Sequence, residues 1–211
     1  MVQWYYLITG LVLLYSTIQL GISAFREQQL MHSSLAGAAL FWTIDFGLRS
    51  FGPMLAEIWP QSTVEIIFAW AEIVAVALVL CYLALLIRDS KPVFARFPFA
   101  FTALPLLIII TFPLVQNTIV LKDWVIGLYE GGALLIGLLV FGVKTSKDER
   151  FTLLTAGLLI FLGCFLAVWL VPKTAVIYDM LWKGLLIFGI GLTIHGYQYA
   201  EKHADGIVSG D

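Results

Sequence analysis

Along this chain apolar residues run on in long stretches separated by short polar connectors. A stretch of about 20 apolar residues is what an α-helix needs to cross the ~30 Å hydrocarbon core of a bilayer. Seven such stretches fall at about residues 4–25, 35–58, 62–87, 97–116, 122–143, 151–171 and 175–200. The pattern predicts an all-α, polytopic membrane protein: one domain over residues 1–200, a bundle of seven transmembrane helices. Residues 201–211 (EKHADGIVSGD) form a polar tail expected to be mobile and cytoplasmic. The first stretch opens with MVQWYY, without a basic leader, and its apolar run is longer than a signal peptide's, so it reads as a retained helix.

Lys and Arg placement sets the orientation. On one side fall Arg26, the cluster Arg88, Lys91 and Arg96, the cluster Lys144, Lys147 and Arg150, and Lys202; on the other fall Lys122 and Lys173. The N-terminus is expected outside and the C-terminus in the cytoplasm. Trp4, Trp59, Trp124 and Trp169 all lie near the expected outer boundary, where indole rings favour the interface. Pro105 is expected to kink the fourth span and Pro53 to bend the outer end of the second. Gly127 and Gly131, and then Gly184, Gly189 and Gly191, are read as sites of close helix packing.

Composition agrees with the pattern: 61% of the 211 residues are hydrophobic and 12% charged, with mean hydropathy +0.95. A formal charge of −2 provides no basic field for nucleic acid. Cys81 and Cys164 lie inside apolar stretches and are expected as packed thiols without a disulfide. His32, His195 and His203 are too scattered for a zinc site, and neither a G-x-S-x-G sequence nor a glycine-rich phosphate loop occurs. These observations favour a non-enzymatic protein whose surroundings are a lipid bilayer.

The candidate chemistry lies in charges within the apolar stretches. With a rise of 1.5 Å per residue, Arg49, Glu72, Glu130 and Lys183 each fall roughly 12–15 Å below the outer surface. Asp45 lies one turn from Arg49, and Asp179 one turn from Lys183, each on its partner's face. Glu65 and Asp123 lie two turns out from Glu72 and Glu130. A charge at mid-membrane costs about 2.5–3.5 kcal/mol even on the lenient insertion scale, so the expected arrangement turns these side chains inward to share one pocket in the outer half of the bundle. Four acids (Asp45, Glu72, Glu130, Asp179) face two bases (Arg49, Lys183). A proton on a carboxyl, or a cationic ligand, would complete the balance. The alternative is a set of ion pairs that only fix helix registry.

The last stretch, IYDMLWKGLLIFGIGL, resembles the retinal-binding helix of microbial rhodopsins, in which an aspartate precedes the Schiff-base lysine by four residues. The matching residues are Asp179 and Lys183. The resemblance implies retinal as cofactor on Lys183, with Glu72 and Asp179 balancing a protonated Schiff base, in a photoreceptor or ion pump. Spans two and three (AALFWTIDFGLRSFGPML and FAWAEIVAVALVLCYLALLIRD) are similar to the seven-helix sensor domains found ahead of bacterial signalling kinases. That second resemblance implies a sensor that acts through a membrane protein partner.

The leading expectation is a pocket that binds or senses a small ligand or proton, in a bacterial or archaeal inner (plasma) membrane. A small transporter would need a polar path continuing inward, and runs such as LVLCYLALLI and ALLIGLLVFG count against one. A structural subunit of a membrane complex would have dispensable pocket charges.

Overall fold

A computed structural model describes residues 2–27, 30–51, 54, 58–90, 96, 98–115, 118–170, 185 and 187–200. Every regular element among them is helical. They are α1 (Val2–Glu27), α2 (Leu30–Ser50), α3 (Gln61–Ser90), a 3-10 helix (Phe99–Leu107), α4 (Ile108–Val115), α5 (Ile119–Thr145), a 3-10 turn (Glu149–Phe151) and α6 (Thr152–Leu170). Residues 187–200 form a last helix, α7.

Four helical segments are long and apolar enough to cross a membrane: Trp4–Arg26, Gln61–Arg88, Val120–Thr145 and Glu149–Ala167. Their outward faces carry large apolar side chains; on α1 alone Leu11, Ile18, Ile22 and Phe25 are more than half exposed. In water such a surface would aggregate, whereas in lipid it needs no partner. The chain is therefore suited to a bilayer. Trp4, Trp59 and Trp124 are exposed at or just before the N-terminal ends of α1, α3 and α5.

Two of the expected spans differ in form. The second, expected at about 35–58, is a helix that starts at Leu30 and ends at Ser50. Ser50 closes it by donating its hydroxyl to the Gly47 carbonyl at 2.6 Å; beyond it Met54 and Ile58 are again helical. The fourth, expected at about 97–116, is wound as nine residues of 3-10 helix followed by eight of α-helix. The bend expected from Pro53 lies outside the described residues, as do residues 171–184.

Backbone contacts divide the chain into two compact units, Met1–Ala133 and Leu134–Asp211. In the first, α2 packs against both α1 and α3. Gly10 lets the α1 and α2 backbones approach, since a Cβ there would sit 3.6 Å from the Gly47 nitrogen. Buried Thr9 and Ser16 return their hydroxyls to the carbonyls of Tyr5 and Val12, so neither is left unsatisfied in an apolar interface. The core of this unit joins Ala69, Ile73 and Ala77 of α3 to Ile108 and Phe112 of α4 and Ile126 of α5. Trp70 meets Phe112 edge to face, ring centroids 5.2 Å apart.

In the second unit the chain turns between α5 and α6. Thr145 and Thr155 hydroxyls lie 2.7 Å apart, and Lys144 lies over the rings of Phe141 and Phe151 at 5.7 and 5.2 Å. Asp148 caps the 3-10 turn, accepting from the Arg150 backbone nitrogen at 3.0 Å and from its Nε at 2.9 Å. α6 and α7 cross with almost no space between backbones. A Cβ at Gly157 would meet Thr193 Oγ1 and lie 2.6 Å from the Thr193 nitrogen, and one at Gly196 would meet Leu154 N and lie 2.8 Å from the Leu153 carbonyl carbon. Cys81 and Cys164 are buried thiols that form no disulfide.

Candidate functional site

Asp45 and Arg49 are one turn apart near the C-terminal end of α2, on the face turned to α3. Arg49 Nε donates to both Asp45 oxygens, at 2.9 and 3.0 Å. That leaves the Nη groups to point across the interface, where Nη2 lies 3.7 Å from Glu72 Oε2 on α3. The guanidinium plane covers the Phe68 ring, Cζ to centroid 4.8 Å, so one face of the cation is held by π-electron density. Phe68 and Glu72 are four apart on α3 and address the same cation from consecutive turns.

The fourth member comes from α5: the Glu130 carboxyl lies within electrostatic reach of Glu72, Arg49 and Asp45. On the α1 side Tyr6 also lies within electrostatic reach of Arg49, and its ring packs 6.0 Å from Phe46 of α2. Asp45 is enclosed, with 3% of its surface exposed, whereas Arg49, Glu72 and Glu130 are partly exposed. The cluster is thus closed at Asp45 and open along Arg49 and Glu72.

No family model, curated protein or solved structure matches the chain. The chemistry has to come from the geometry.

Of the six candidate residues, four (Asp45, Arg49, Glu72, Glu130) are brought together, while Asp179 and Lys183 lie outside the described residues. Glu65 and Asp123 are exposed, and Glu65 accepts from Gln61 Nε2 at 3.1 Å instead of joining the cluster. Two participants carry no charge and were not found from the sequence. Phe68 had a readable signal, its position one turn before Glu72 in a stretch otherwise apolar. Tyr6 had none, because only the packing of α1 on α2 brings it near Arg49.

Three carboxyls around one guanidinium cannot all be ionised without strain. Two unscreened like charges about 4 Å apart repel by roughly 4 kcal/mol at an effective dielectric near 20. The arrangement holds Arg49 against Asp45 and sets two further carboxyls, Glu72 and Glu130, beside the same cation. Among the described residues no group of three or more His, Cys, Asp or Glu is placed to hold a metal ion. A groove of about 740 Å³ along α1, lined by Thr17, Ile18, Gly21, Ile22, Phe25 and Arg26, shares none of the cluster residues and is mainly apolar. It is part of the surface suited to lipid.

Proposed function

We propose that the chain is a non-enzymatic membrane protein, a seven-helix bundle with its N-terminus outside and its C-terminus in the cytoplasm, whose Arg49-centred ionic pocket senses a small ligand or proton. The orientation rests on the Lys and Arg asymmetry of the connectors. The functional reading rests on one observation: Glu72 of α3 and Glu130 of α5 lie close to each other beside the Asp45–Arg49 pair of α2. One proton gained or lost there changes the charge balance between three helices at once. Ion pairs that served registry alone would be satisfied by Asp45 and Arg49 and would need no third and fourth acid at the contact.

The test is the melting temperature of purified protein across pH, in wild type, Glu130→Gln and Glu65→Gln. A glutamine keeps the side-chain shape without a titratable proton. Glu130→Gln is expected to change the pH dependence of the melting temperature, because it removes a titratable acid beside Arg49, while Glu65→Gln follows the wild type. A Glu130→Gln profile that superimposes on the wild type overturns the proton reading. Stabilisation by an added small cation, lost in Glu130→Gln, would then mark the pocket as a ligand site.

A further inference from the structure

The segment between α3 and α5 is at the short limit for a membrane helix of ordinary pitch. Phe99–Val115 is apolar, has 17 residues and falls below the length of the four long spans. Wound entirely as α-helix it would reach only about 26 Å, about 4 Å less than the ~30 Å hydrocarbon core. Its flanks limit any extension, with Arg96 and Pro98 before it and Gln116, Asn117 and Thr118 after it.

Yet it is not wound that way. Phe99–Leu107 is a nine-residue 3-10 helix, where runs beyond three or four residues are uncommon. At about 2.0 Å per residue these nine span about 18 Å, and the eight α-helical residues Ile108–Val115 add about 12 Å, giving about 30 Å. Winding closes the shortfall without adding a residue.

The sequence provides a reason for the tight winding. Pro105 lies inside the 3-10 run. It donates no backbone hydrogen bond in either winding, but in an α-helix its ring would also meet the Phe101 carbonyl four residues back. Buried Thr102 bonds its hydroxyl to the Phe99 carbonyl, three residues back, at 2.7 Å. At the junction Leu106 and Ile108 join the Phe112 core cluster with Ala69, Ile73 and Ala77 of α3, which anchors the extended segment along a helix that is itself long enough to span.

We infer that Phe99–Val115 is a complete membrane span whose 3-10 winding, held by Pro105, supplies the length that its residue count lacks. This rests on the seven-span topology proposed above, and adds to it how the fourth span reaches across.

Two measurements on the full-length chain in bilayers, with Cys81 and Cys164 replaced by Ala, test it. First, single cysteines at Pro98 and Thr118 are labelled with a membrane-impermeant thiol reagent. Opposite-side labelling is expected; same-side labelling would make the segment re-entrant and overturn both this inference and the seven-span topology. Second, spin labels at exposed Phe99 and Leu114 are expected to lie about 4 Å further apart than on a straight α-helix of the same residues, and Pro105→Ala is expected to shorten the separation. Opposite-side labelling with an α-helical separation strikes the winding alone. An unchanged separation in Pro105→Ala strikes the role of Pro105. None of these outcomes bears on the acid pair, which the Glu130→Gln profile tests separately.

Discussion

Replacing Arg49 with Met leaves the α2 side chain nearly the same length and removes the one cation described at the cluster. Asp45, 3% exposed, then loses both hydrogen bonds that Arg49 Nε donates and has no water to replace them. Breaking a buried pair from one side costs about 3–5 kcal/mol. Arg49 is itself 30% exposed, which places the loss near the lower end, and the lost cation–π contact with Phe68 adds about 0.5–1 kcal/mol. A total of roughly 3.5–4 kcal/mol lowers the melting temperature of a chain this size by about 7–16 °C. The measurement is thermal unfolding of purified protein in detergent, followed by circular dichroism, for Arg49→Met, Asp45→Asn and the double variant. The double variant is expected to recover part of the loss, because no carboxylate is then left buried and unpaired. The loss in Arg49→Met is also expected to shrink as pH falls, since an orphaned Asp45 can be neutralised by a proton. Arg49→Met melting within 1–2 °C of wild type, less than about 1 kcal/mol, would refute the reasoning from the pair geometry.

Two further variants probe the second unit. Gly157→Ala and Gly196→Ala force a methyl group into the backbone of the crossing helix and are each expected to destabilise by about 1–3 kcal/mol; Gly132→Ala, where a Cβ would have nothing within 4 Å, is the control and is expected to melt at or above wild type. At the connector between α5 and α6, hydrogen bonds from the Arg150 side chain and backbone hold the Asp148 carboxyl below its ordinary pKa. A carboxyl depressed on folding adds stability that is complete above its unfolded pKa and is lost as pH falls through the folded value. Asp148→Asn is therefore expected to differ from wild type at neutral pH and to converge with it in acid, read from the same melting curves; a constant difference down to the acid limit would contradict the assignment.

Much of the helical architecture was legible from run length alone. Apolar stretches of bilayer length admit few backbone solutions, because every N–H and C=O in lipid must be satisfied within the segment or a closed sheet. The helices Val2–Glu27, Gln61–Ser90, Ile119–Thr145 and Thr152–Leu170 follow from that constraint within a few residues. Depth along each stretch was also readable, since rise per residue is constant within an α-helix, and it singled out Arg49, Glu72 and Glu130 as charges of one layer.

What a one-dimensional depth cannot supply is rotation about each helix axis and the distance between axes, and these decided the chemistry. The approach of α2 to α3 lets Arg49 hold Asp45 through Nε while reaching toward Glu72. The approach of α3 to α5 brings two isolated acids within electrostatic reach of each other, and α1 adds Tyr6 beside Arg49. Glu65, on the expected path outward, instead pairs with Gln61 on its own helix, because an exposed carboxylate near a helix end has partners at hand and nothing drives it inward. The same limit applies to winding. Phe99–Val115 has the composition of a membrane helix, and only the packed structure shows nine of its residues in the longer 3-10 form, since run length counts residues and the bilayer measures distance.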